Sequence, residues 1–97
     1  MSVSLYQRVV DFTDEFESNE VAERMYDNAF TLYYPLLSAL EDAQVSIREG
    51  DYHNAYDSLY EFVTLIDSLP SEWEDVAEVE TYEFDEIVRE VKRLTEE

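Results

Sequence analysis

The chain reads as an all-α protein: a small antiparallel bundle of four to five helices in a single domain, residues 1–97. Three observations lead there. Apolar residues recur at spacings of three and four along nearly the whole length, the period of a helix with one buried face. One Gly and two Pro leave too few tight turns for a β-rich fold. An apolar share of 45% with 14% aromatics supplies a core, whereas disordered acidic segments are poor in aromatics. Ninety-seven residues suffice for one modest core and not for two.

Leu5, Val9, Phe12 and Phe16 mark one face of a first helix, with Ser2 or Ser4 as its N-cap. Ser18 and Asn19 can cap the next, and Glu20 and Glu23 then sit in its first turn, where the helix dipole favours anions. Ala22, Met25, Ala29, Leu32, Leu36, Leu40, Ala43 and Ile47 continue in phase through Pro35. Proline lacks the amide donor and clashes with the carbonyl four residues back, so the spacing predicts one long second helix kinked at Pro35.

Gly50 reads as the residue just past that helix and Asp51 as the cap of the next. Tyr52, Ala55, Leu59, Phe62, Ile66 and Leu69 form its buried stripe, closed by Pro70. Ser71 and Glu74 have capping-box spacing for a further helix led by Trp73, Val76 and Ala77. The period fails over Val79-Glu80-Thr81-Tyr82, which predicts a bend. Phe84, Ile87, Val91 and Leu94 then define a terminal helix with Arg89, Lys92 and Arg93 in its last turns. The run from Arg48 to Ala55 resembles the turn of tetratricopeptide-type hairpins, in which a Gly-Asp-Tyr-x-x-Ala pattern is common. The resemblance implies one helix–turn–helix, short of the three repeats an array needs.

Charge is the second theme. Between Glu49 and Val88 lie thirteen acids and no Lys or Arg, in a chain of net charge −19. Such a field repels nucleic acid and anionic lipid, so neither is expected as a direct ligand. No window approaches the roughly 18 apolar residues of a membrane span, and the first residues lack a signal-peptide pattern. The expectation is a cytoplasmic protein.

The absence of Cys removes disulfides, thiolate metal sites and cysteine nucleophiles. His53 and Asp57 lie one helical turn apart, but a metal site needs further ligands, and Glu49 and Asp51 fall across a helix boundary. Carboxylate pairs abound on polar faces, where water keeps them alike, whereas acid–base catalysis needs groups in contrasting environments. No phosphate loop, nucleophile elbow or HExxH run occurs. No catalytic residue, metal or cofactor is therefore assigned, and the protein is read as a binder and not an enzyme.

Carboxylates at i and i+4 on a helix stand about 5–6 Å apart, a scale similar to successive phosphates on a DNA strand. Asp57 with Glu61 and Glu74 with Glu78 form such rows. With Glu72, Asp75, Glu80, Glu83, Asp85 and Glu86 they make up the expected partner-binding carboxylates. Tyr56 and Tyr60, at the edge of the stripe begun by Tyr52, add aromatic contacts suited to Arg-rich surfaces.

In size, helical pattern, scarcity of Lys and interleaving of acids with aromatics, the chain resembles the phage-encoded DNA-mimic inhibitors of restriction and CRISPR systems. That resemblance is of type and covers the whole chain. It implies that one copy, or a homodimer, occupies the basic groove of a nucleic-acid-binding protein or nuclease complex in the host cytoplasm and blocks it. The alternative is salt adaptation. Proteins of salt-accumulating archaea are acidic on all faces and poor in Lys, and five of the six basic residues here are Arg. The acidity would then belong to a helical protein–protein interaction module without mimicry. Evenly spread acids would favour salt adaptation, but four of the six basic residues, Arg8, Arg89, Lys92 and Arg93, lie at the chain ends.

Overall fold

In the computed structural model, which describes residues 4–79 and 81–96, helix begins at the first residue after Ser4. Ser4 keeps extended backbone and its hydroxyl accepts the Gln7 amide at 3.1 Å, satisfying one donor that the helix itself leaves free. Ser2, the other candidate cap, lies outside the described residues. Helix α1 runs Leu5–Glu17. Asn19 then caps α2, Glu20–Asn28, its side-chain oxygen accepting from Val21 N at 2.8 Å and Ala22 N at 3.3 Å. Helix α3 spans Phe30–Arg48, α4 spans Tyr52–Asp67 and α5 spans Tyr82–Thr95. Between α4 and α5 lies a 3-10 helix, Ser71–Val79. The described residues are 87% helical and contain no strand.

The long second helix expected from the hydrophobic stripe is divided in two, and the division falls at Ala29 and not at Pro35. Ala29 leaves the helical region (φ −145°, ψ 52°), although its amide still donates to Met25 O and its carbonyl accepts from Tyr33 N. Pro35 is carried inside α3. Pro35 leaves the carbonyl of Thr31, four residues back, without its helical donor, and α3 continues past it to Arg48.

Gly50 ends α3 in the left-handed region, φ 78°. Its amide donates to Ile47 O at 3.1 Å and the Asp51 amide donates to Ser46 O at 2.8 Å, the paired bonds of a Schellman motif. Asp51 then caps α4 by accepting the Asn54 amide. The three residues between α3 and α4 turn the chain back, and these two helices form the most extensive pair in the molecule. Helix α1 packs on α3 and α5, α2 packs on α3, and the 3-10 helix bridges α2 and α4.

Four phenylalanines join α1, α4 and α5 at the centre. Phe12 and Phe84 stack with centroids 4.8 Å apart, and Phe62 stands edge-on to Phe12, Phe16 and Phe84 at 6.0, 5.6 and 5.5 Å. Such geometry opposes the positive ring edge to the negative face, and the pairs add to the burial itself. Around them are packed Val9, Met25, Leu36, Leu40, Leu59, Val76, Ile87 and Val91, all nearly inaccessible to solvent. One polar side chain joins this interior. Thr13 donates its hydroxyl to Val9 O at 2.8 Å and accepts from Gln44 Nε2 at 2.7 Å, tying α1 to α3.

The segment after Pro70 forms the expected further helix led by Trp73, Val76 and Ala77. It is a 3-10 helix, and Ala77 is exposed while Val79 is buried. Trp73, Val76 and Val79 step by three, the repeat of a helix with three residues per turn, so all three share one face. The expected bend holds in outline: the 3-10 helix stops at Val79 and α5 starts at Tyr82, capped by Thr81.

Candidate partner-binding surface

The 3-10 geometry changes how its acids align. Residues i and i+3 eclipse in such a helix, at about 6 Å of axial rise per turn. Glu72, Asp75 and Glu78 therefore form one row, and Glu74 does not share it with Glu78 as an α-helix would require. All four are exposed. Glu78 also approaches α1: with Glu15, Phe12, Phe16, Asn19, Val79 and Thr81 it borders a small recess of about 140 Å³. Glu80 lies outside the described residues.

Asp57 and Glu61, exposed one turn apart on α4, line an open groove of about 350 Å³ between α3 and α4. Across it stand Asp42, Val45 and Ser46 of α3, beside Asn54 and Ser58 of α4. Asp42 thus adds a third carboxylate that the sequence reading did not include. A signal for it existed: in a helical hairpin, residues equally far from the turn face each other, and Asp42 and Ser58 are equidistant from Gly50. Tyr56 is half-buried and Tyr60 is 63% exposed, with their rings stacked at 6.5 Å.

Two of the expected contact acids are already engaged. Arg8 of α1 donates from Nε to Glu83 Oε1 at 2.9 Å and from Nη2 to Glu86 Oε2 at 3.3 Å. The Glu83 hydrogen bond is the main cause raising the Arg8 pKa, against a partial loss of solvation. These pairs are solvent-accessible, so each is worth at most about 1 kcal/mol. Their larger effect is on charge distribution. Because α1 and α5 pack together, Arg8, Arg89 and Arg93 border one open recess with Glu86 and Glu90. Glu90 accepts from Arg93 Nε at 3.1 Å, which lowers its pKa. Residues at opposite ends of the sequence thus gather into a mixed-charge corner, which holds Glu83 and Glu86. Asp85, one residue from that row, is exposed.

The remaining acids are not confined to one element. Asp11, Asp14 and Glu17 of α1, Glu20, Glu23 and Asp27 of α2, and Glu41 of α3 are all exposed. Among the described residues no three His, Asp or Glu side chains are arranged to hold a metal ion, and no helix is long and apolar enough to cross a membrane. No protein-family model matches the chain, and no curated protein or solved structure shows a significant match to it.

Proposed function

We propose that this protein is an acidic DNA mimic that occupies the basic groove of a nucleic-acid-binding protein, such as a host nuclease or defence complex, and blocks it. The observation that carries this reading is the stretch from Glu49 to Val88, which has thirteen acids and no Lys or Arg and forms α4, the 3-10 helix and the start of α5. Two carboxylate sets are suited to a cationic cleft: the eclipsed row Glu72, Asp75 and Glu78 on this stretch, and the groove set in which its Asp57 and Glu61 face Asp42 of α3. Tyr60 stands beside the second set as an exposed ring for guanidinium stacking. Glu83 and Glu86, tied to Arg8, are secondary in this scheme. Counterions held near such an array are released when a Lys/Arg-lined groove replaces them, as when that groove binds DNA.

The test is capture from a nuclease-treated lysate of the native host, using the wild-type chain and the triple variant Glu72→Lys, Asp75→Lys, Glu78→Lys. A captured protein that binds duplex DNA, and that wild type but not the triple variant displaces from DNA, is the expected result. A captured protein that holds DNA and this chain simultaneously contradicts the proposal.

A second reading, a salt-adapted helical interaction module without mimicry, is favoured by one observation. Among the described residues every helix carries exposed carboxylates, α2 and α3 included. Its test is a salt titration of folding, argued in the Discussion.

A further inference from the structure

An open cavity of about 420 Å³ is lined by Glu17 from α1, Glu23, Tyr26 and Asp27 from α2, and Tyr33 from α3. It lies outside the cation-free stretch and shares no residue with the surface described above. Three carboxylates line it and no Lys or Arg does. Its walls are also aromatic. Tyr26, 56% exposed, stands edge-on to Tyr33 at 5.4 Å and to Phe30 at 5.5 Å, and Phe30 contacts Tyr34 at 5.8 Å. Phe30 and Tyr34 are 50% and 57% exposed, so a large aromatic patch continues from the rim.

The second observation is Tyr33 itself. It is 95% buried by its 5% relative exposure, with its ring stacked on Phe16 at 5.7 Å. Among the described residues its hydroxyl has no hydrogen-bond partner. Tyr33 itself lines the cavity, and burial, then the nearby Glu17, Tyr26 and Glu41, raise its pKa. Buried tyrosines ordinarily find a hydrogen-bond partner, and this side chain borders a space bounded by carboxylates.

We propose that this cavity holds the guanidinium group of an arginine side chain presented by a partner protein. Guanidinium has five N–H donors and no acceptor, which suits a site offering three carboxylates and a phenol oxygen as acceptors. Its planar, weakly hydrated cation stacks on tyrosine faces and bridges carboxylates bidentately. A lysine ammonium, compact and strongly hydrated, uses neither the rings nor the spread of the acids as fully. The site does not depend on DNA mimicry, because any partner with an accessible arginine can use it.

The experiment is an amide-resolved NMR titration of the full chain with two capped tripeptides, acetyl-Gly-Arg-Gly-amide and acetyl-Gly-Lys-Gly-amide, at about 0.15 M salt, where weak surface attraction is screened. The expected result is shifts confined to residues 17–34, with the arginine peptide binding about fivefold more tightly than the lysine peptide. Tyr26→Ala and Asp27→Asn, both at exposed positions, should each reduce arginine binding about fivefold with unchanged circular dichroism. Asp11→Asn, at an exposed position of α1 that does not line the cavity, should bind as wild type. Equal binding of the two peptides, shifts spread over all acidic helices, or wild-type affinity in Asp27→Asn would overturn the assignment. Loss of the captured DNA-binding partner in the lysate experiment would leave this result untouched, so the two ideas fail separately.

Discussion

Gly50 is the one described residue with positive φ, and an added Cβ would meet nothing within 4 Å. The cost of Gly50→Ala is therefore conformational, about 1–2 kcal/mol for holding an alanine in the left-handed region. Gly50→Asn should cost less, because asparagine visits that region more readily. Urea unfolding checks both, with the midpoint moving and the slope unchanged. Tyr33 allows a second residue-scale prediction. Its pKa is raised above the ordinary 10.0, chiefly by burial, so the folded state retains the phenol proton more strongly than the unfolded chain. That contribution is complete below pH 10 and is lost as pH climbs through the folded value. Thermal melts should therefore show wild type losing stability faster than Tyr33→Phe above about pH 10, with a constant gap between them at pH 7 to 9. Parallel alkaline limbs would mean that this hydroxyl does not titrate with unfolding.

The 3-10 helix makes an element-scale prediction that an α-helix would not share. With Trp73, Val76 and Val79 inward and Ala77 outward, Ala77→Gln should change stability by no more than about 0.5 kcal/mol. Val76→Ala should cost about 1.5 kcal/mol or more, from two buried methyl groups and the space they leave. Trp73, the only tryptophan, reports both by fluorescence during unfolding. In an α-helix Ala77 would sit beside Val76 on the buried face, and its enlargement would be costly. This contrast shows what local sequence carries. Four stripes, the caps Ser4, Asn19 and Asp51, and the Gly50 turn were readable because each depends on residues within one or two turns. The step of three through Trp73, Val76 and Val79 was equally local, but it also fits a poor α-helical stripe. The break at Ala29 had no local signal, since alanine is the strongest helix former. It follows from packing: turning the chain there lets α2 meet the 3-10 helix and bury Ala22 and Met25. The Arg8 pairs with Glu83 and Glu86 were hidden for the same reason, because they require α1 beside α5.

At the scale of the whole molecule, a net charge of −19 sits on a body 40 × 26 × 20 Å across. At about 0.1 M salt the screening length is near 10 Å, so each carboxylate feels several neighbours, whereas at about 1 M it is near 3 Å and most of that repulsion vanishes. Melting temperature should therefore rise with salt under either reading of the acidity. What separates the readings is the state at the low end. The aromatic centre built by Phe12, Phe16, Phe62 and Phe84 draws on three helices, and α3 with α4 closes a second extensive contact. The mimic reading expects this core to form without concentrated salt, with full helical circular dichroism at about 0.1 M. Salt adaptation expects an unfolded chain there that refolds as salt is added. The same titration tests function, because affinity for a basic groove should fall steeply over the interval in which stability rises. Opposite salt slopes for folding and binding are the signature of a surface whose repulsion is relieved by its partner. A chain that folds only in strong salt, and binds its partner no less tightly there, would assign the acids to solvation instead.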